Sequence, residues 1–340
     1  TLLSDGTEVT FGKLTLDEAR ARAGLDSREG QLYRDLLELR GRYGEAIARD
    51  FPRHWRRASG YDLPELTRED AINVARLLAG SEGTLAFGTE YTIGLVPRPA
   101  QTALVLLQFD DLIAALDTVT TILECRPSAV ELMDGLMISL TREQPGYARQ
   151  IAFLKGNPEA LLTVEFYGES DAELRDKADN LRRHLRRHGV VERDEDVIEV
   201  FDPKQQADVW AVRKAGLGLL MSMHGDVKPI SCIEDVSVPV EHLPAYVKAV
   251  REMVAAHGTR ASFYAHASAG CLHVRPLVSL KSAEGVRTTR ELTEGAARLA
   301  VEFGGVMSGE HGDGLQRGEL NERVFGPELY RAMREVKAAF

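Results

Sequence analysis

An approximate duplication over residues 102–202 restricts the fold of this chain more than any other stretch. "TALVLLQF" (102–109) is a continuous apolar run of strand length; Asp110 then stands in a capping position before a helical pattern through Cys125, and "SAVELMD" (128–134) is a second strand. The sequence then repeats itself. "ALLTVEFYG" (160–168) is a strand, Ser170 and Glu173 have capping-box spacing, and Leu174, Ala178, Leu181 and Leu185 fall on one helical face. Gly189 stops that helix and "DVIEVFD" (196–202) follows. Two such β-α-β units predict an α+β, ferredoxin-like domain with a largely antiparallel sheet and helices on one face. The competing reading is a set of unrelated α/β segments.

The flanks read differently. Leu32, Leu36, Leu39 and Tyr43 predict a helix over 29–49 that ends before Pro52, and "TREDAINVARLLAG" predicts a second, with Thr67 and Asp70 as its capping box and Gly80 as its stop. "GSEGTLAFGTEYTIGLVPRP" (80–99) reads as a Gly-rich turn and a β run that Pro97 and Pro99 terminate, and this is the candidate domain boundary. Later helices are expected near 203–222, 240–257, 284–304 and 326–340, with strands near 233–239 and 261–276. The opening "TLLSDGTEVTFGKL" has no initiator Met and starts in a hairpin with Asp5-Gly6 at its turn, so the chain reads as a piece of a longer protein.

A net charge of −10 argues against nucleic acid, which needs a basic face. An anionic substrate must instead meet a local cluster of Arg or Lys working against the overall field. No apolar run approaches the roughly 18–20 residues of a membrane span, and no signal-peptide pattern opens the chain. Cys125, Cys232 and Cys271 are scattered and odd in number, which excludes a disulfide framework or a CxxC site and makes a reducing cytoplasm the simplest setting.

Among nine histidines, three arrangements stand out. His184 and His188 have the i, i+4 spacing of a zinc-binding helix, but "HLRRH" lacks the glutamate and is crowded by Arg182, Arg183, Arg186 and Arg187, so it reads as a solvated basic face. In "YAHASAGCLHV" (264–274), His266 and His273 are an odd number of residues apart, which in a regular strand would place them on opposite faces. The intervening "ASAG" can supply a turn, with Gly270 free to adopt positive φ, that aims both rings at one point. "SGEHGDG" (308–314) then sets Glu310 and His311 among glycines. Two imidazoles and a carboxylate suit catalytic zinc, and also Mn²⁺ or Fe²⁺. Spacing alone favours hydrogen-bonded structural histidines over a metal site.

Taken in order, "SGYDLPEL", "GSEGTLAFGTE", "VWAVRKAG", "DVKPISCIEDVSVP", "YAHASAGCLHV" and "SGEHGDG" resemble the FAD-linked oxidase family of D-2-hydroxyacid dehydrogenases, which includes D-lactate dehydrogenase, glycolate oxidase and D-2-hydroxyglutarate dehydrogenase. "PSAVELMDG" and "CIEDVSVP" are most similar to long bacterial members fused to an iron–sulfur domain. The resemblance implies three segments: the C-terminal part of a PCMH-type FAD-binding domain (1–99), a ferredoxin-like substrate or cap domain (100–304), and a segment returning to the FAD-binding side (305–340).

It further implies His266, His273 and Glu310 as metal ligands and His311 as general base, with Arg213 and Lys228 on the substrate carboxylate. Gly60, Tyr61, Gly80, Ser81, Gly83 and Thr84 fall where the family's backbone approaches the flavin. The family's usual Asp-Gly-Asn run is Ala-Gly-Cys here (269–271), and Arg275 replaces an Asn; an arginine there grips a second carboxylate or pairs with a nearby acid. The implied chemistry is FAD- and metal-dependent oxidation of a small 2-hydroxy acid, with an iron–sulfur domain or other electron acceptor in the complete protein and a cytoplasmic, optionally membrane-peripheral, location. No Gly-rich pyrophosphate loop precedes "TLLSDG", so this chain alone is expected to bind FAD weakly or not at all. The alternatives are a non-catalytic module that binds a hydroxy acid or metal, and a metal-free flavin oxidase.

Overall fold

The computed structural model describes residues 1–191 and 196–340. The chain divides into two compact units, Thr1–Leu95 with Gly304–Phe340, and Val96–Phe303. Among the described residues, no helix is long and apolar enough to cross a membrane.

The first unit contains β1 (Lys13–Thr15), α1 (Leu16–Ala23), α2 (Arg28–Asp50), β2 (Ala71–Asn73) and α3 (Val74–Leu78). The second contains, in chain order, β3 (Gln101–Phe109), α4 (Leu112–Leu123), β4 (Ala129–Asp134), α5 (Gly135–Glu143), α6 (Pro145–Ala148), β5 (Ala160–Gly168), α7 (Asp171–Arg187) and β6 (Val197–Val200). It continues with α8 (Pro203–Met221), β7 (Lys228–Pro229), β8 (Ile233–Ser237), α9 (Leu243–Ala256), β9 (Ala261–His266), β10 (Cys271–Val278) and α10 (Ala283–Glu302). The chain then returns to the first unit with α11 (Gly314–Arg317) and α12 (Asn321–Ala339).

In the first unit, α2 buries the predicted Leu32, Leu36, Leu39 and Tyr43 stripe and packs against α12. The helix expected from Thr67 does not form. Residues 71–73 pair antiparallel with β1, Leu14 opposite Ile72, and the helix starts only at Val74, capped by the Asn73 side chain. Local capping spacing loses here to a strand pairing that buries Ile72 completely. The β run expected before Pro97 reduces to one bridge, Leu2 to Phe87. Tyr91, Ile93, Leu95 and Val96 stay exposed. The last helix begins earlier than periodicity suggested, at Asn321, and breaks at Gly326 (φ 77°) before Pro327.

The second unit is built on an eight-stranded sheet in the order β6-β3-β5-β4-β9-β10-β7, with β8 also on β10. Every strand pairing is antiparallel. The first four strands follow the 4-1-3-2 order of a ferredoxin-like β-α-β-β-α-β unit, and β8-α9-β9-β10 extends it. The alternation of strand residues explains the layers. Leu104 and Leu106 of β3, Met133 of β4 and Leu161 of β5 form one core with α5 and α8. The opposite face packs against α4 and α7, with α9 beside α4 and α10 beside α9, so helices cover both faces rather than one.

Two caps differ in detail from expectation. Asp111 rather than Asp110 caps α4. Ser170 accepts from the Glu173 N–H, but the Glu173 carboxylate takes the Glu169 N–H in place of closing the box.

Candidate functional site

The polar centre of the second unit lies on the α8 face of the sheet, and register builds it. Glu131 stands opposite His266, His266 opposite Cys271, and Tyr264 opposite His273. Directly paired residues share a face, so these side chains form adjoining rows across three strands. Between β9 and β10 the chain turns through a short 3-10 segment (267–269) and Gly270 in the left-handed region (φ 67°). That turn brings the two imidazoles to a ring-centroid distance of 5.2 Å at 87°.

A bulge on β8 completes the arrangement. Leu272 faces Val236 but His273 faces Glu234, which leaves Asp235 as the extra residue, at φ 81°. Two residues opposite one is the mark of a bulge, and its effect is to re-aim a side chain. Here it turns Glu234 toward His273, whose Nδ1 lies 3.3 Å from Glu234 Oε1. The buried Asp235 accepts from Cys271 Sγ at 3.3 Å.

Each imidazole therefore has its own carboxylate. His266 Nδ1 is 2.7 Å from Glu131 Oε1, and the second oxygen of Glu131 accepts from Arg213 Nε at 3.0 Å, with Nη2 at the same distance. Arg213 comes from α8, and its guanidinium also lies 5.0 Å over the Tyr264 ring. Tyr264 stacks on His273 at 4.8 Å and receives Arg275 Nε on its hydroxyl at 3.3 Å. Arg275 Nη2 lies 3.5 Å from Glu234. Of the two alternatives for Arg275, the fold displays pairing with a nearby acid. Burial pushes the Tyr264 phenol pKa upward, against the pull of Arg275 and Arg213, so the ring keeps its proton at neutral pH.

His273 and Asp235 offer ligand atoms within 4.8 Å of one another, a starting pair for a divalent cation, and His266 is not part of that group. Anchoring His266 Nδ1 on Glu131 fixes the tautomer of that ring and leaves Nε2 as its coordinating nitrogen, the carboxylate–histidine–metal arrangement. Glu131 also holds Arg213 by one edge, leaving guanidinium donors of its other edge for an anion. Lys228 lies on β7 opposite Val278, with its ammonium donated to the Met223 carbonyl.

Glu310 and His311 belong to the first unit. His311 Nε2 is 3.3 Å from Glu310 Oε1, and Arg56 donates to Glu310 Oε2. The surrounding turn is tied to the Gly-rich segment: Glu82 accepts the Gly314 N–H at 3.1 Å, and Asp313 accepts the Gly60 N–H at 2.7 Å. Within that segment Tyr61 and Thr84 share a 2.7 Å hydroxyl bond, and Thr84 donates to the Ser81 carbonyl. Gly80 and Gly83 have positive φ and open space where a Cβ would project. A side-chain-free backbone edge of this kind is what close approach to a large ligand requires, so Gly80 and Gly83 fit a flavin contact, whereas at Gly60 a Cβ would instead meet the Met333 and Phe325 side chains.

Three members of the polar centre were missed from sequence: Glu131, Glu234 and Tyr264. A mid-strand carboxylate in the apolar run "SAVELMD" was the available signal for Glu131, Asp134 at its end being readable as a helix cap, since a buried acid requires a partner. For Glu234 no local signal existed, because its orientation depends on the bulge.

Residues 98–340 match the family described as FAD linked oxidases, C-terminal domain. The chain is 30% identical over 330 residues to a D-2-hydroxyglutarate dehydrogenase of Pseudomonas putida, covering 96% of this chain and 32% of that protein. The corresponding Escherichia coli protein is 31% identical over 320 residues, at 92% and 31% coverage. A glycolate oxidase subunit of Bacillus subtilis is 26% identical over 301 residues, at 88% and 57%. The chain spans about a third of the length of the first two relatives.

Proposed function

Because the chain belongs to the FAD-linked oxidases, through their C-terminal domain, we propose that the complete protein oxidises a D-2-hydroxy acid to the 2-oxo acid, with this chain supplying the substrate-binding and metal-ligating part. The observation that carries this reading is Glu131, whose two oxygens hold His266 and Arg213 side by side. One carboxylate thus couples a metal-binding ring to an anion-binding guanidinium, the two groups that a hydroxy acid's oxygen and carboxylate need as neighbours.

When bound, FAD supplies the hydride acceptor, and a divalent metal supplies a Lewis acid that lowers the hydroxyl pKa. The residues of this chain do the positioning. His266 and His273 would hold the metal through their ring nitrogens, and Arg213 would orient the substrate through its carboxylate, which selects the face of Cα that reacts. Tyr264 holds the ring plane of His273 by stacking. His311 as general base, Glu310 as a further ligand, and Lys228 as a second carboxylate contact follow from the family resemblance, and single substitutions at each test them separately.

The decisive experiment uses the complete protein with FAD, a panel of D-2-hydroxy acids and a chelator. D-2-hydroxyglutarate heads the panel, since the relatives at 30% and 31% identity carry that activity in their names. His273→Ala is expected to lose metal and turnover together. Turnover that survives both chelation and this substitution would overturn the metal-dependent reading.

A further inference from the structure

Outside the polar centre, the helical layer on the opposite face of the same sheet gathers a second set of metal-ligating groups. His184 lies in the last turn of α7 and His188 is its C-cap; their rings are 4.5 Å apart. The glutamate that "HLRRH" lacks in sequence is supplied by another helix. Glu124, the C-cap of α4, brings Oε2 to 2.9 Å from His184 Nε2. One ligand atom from each of the three residues lies within 4.8 Å of the others.

We propose that Glu124, His184 and His188 form a binding site for a late first-row divalent cation, zinc foremost, that clamps the end of α7 to the end of α4. Four physical features support it. Two imidazoles and one carboxylate are a complete protein ligand set for zinc with water as fourth ligand. Ligands about 2 Å from zinc in tetrahedral geometry are roughly 3.3 Å apart, close to the separation between His184 and Glu124.

Both helices present their C-terminal ends here, where the backbone dipole favours a cation. The tautomer is also set: Arg187 Nη2 lies 3.3 Å from His184 Nδ1, so a donating guanidinium requires Nδ1 to accept and leaves Nε2 facing Glu124, where a metal replaces its proton.

Of the four arginines around the pair, one is offset by acids and a second is held by a backbone carbonyl. Arg182 is neutralised by Asp179 and Glu199, and Arg183 donates to the Asp179 carbonyl.

The test is zinc titration of the metal-stripped chain against a chromophoric chelator, with stoichiometry and affinity as readouts. His188→Ala removes an exposed ring and should lower the stoichiometry by one equivalent. Glu124→Gln, also at an exposed position, should weaken the same equivalent at least tenfold, whereas His266→Ala should leave that equivalent in place. Circular dichroism confirms that each variant folds. Unchanged zinc stoichiometry and affinity in both His188→Ala and Glu124→Gln would overturn the proposal.

Discussion

Replacing Glu131 by Gln probes the connection on which the polar centre depends. The carboxylate is nearly buried, with 11% of its side chain exposed, and Arg213 retains only 15%. It accepts from Arg213 Nε at 3.0 Å and from His266 Nδ1 at 2.7 Å, with the Arg213 Nη2 charge also 3.0 Å away. Glutamine keeps the shape but has one acceptor oxygen, so its amide nitrogen must face either the guanidinium or the imidazole N–H, a donor against a donor. Bonds to a charged group are worth about 1.5–3 kcal/mol each, and breaking a buried pair costs about 3–5 kcal/mol.

With one oxygen retained, a loss of about 2–4 kcal/mol is expected, read as a lower urea midpoint at unchanged slope. Freed from its carboxylate, His266 should also hold metal about 10- to 100-fold more weakly. Adding Arg213→Met should recover part of the stability loss, because the stranded charge goes with it. A Glu131→Gln variant with the wild-type midpoint and metal affinity would refute the assignment of Glu131 as the shared anchor.

Gly270→Ala places a Cβ at φ 67°, where a non-glycine residue costs roughly 1–2 kcal/mol; differential scanning calorimetry should show a lower Tm, and metal affinity should fall with it if the turn sets the imidazole spacing. Asp134 caps α5 and accepts from Ser262 and the Phe263 N–H, while burial pushes its pKa from the usual 3.8 up to about 6. Its folded pKa lies above the unfolded value, so this group adds stability as pH falls from about 6 toward about 4 and withdraws it as pH rises. Urea midpoints compared at these two pH values should differ less in Asp134→Asn than in wild type, and an identical difference would count against it.

The duplicated β-α-β pattern was legible because it is local: apolar runs of strand length, helical stripes and glycine stops fix each element within a few residues of itself. The left-handed turn at Gly270 was legible for the same reason. What escaped was decided across strands. Ile72 pairs with Leu14, and that contact converts a capped-helix signature at Thr67 into a strand. Glu131 meets His266, and Glu234 meets His273, through register and a bulge that no window of neighbouring residues contains. Glu124 likewise reaches His184 from a different helix, so a motif judged incomplete along the chain gains its third member only in three dimensions.

The histidines and their carboxylates hang from four strands of one hydrogen-bonded lattice, β4, β8, β9 and β10. A lattice of this kind restrains the side chains it carries, so on the proposed reading a guest would meet rings already held in place. Little ordering cost would then fall on binding, and affinity would go into discriminating among guests rather than into shaping the host.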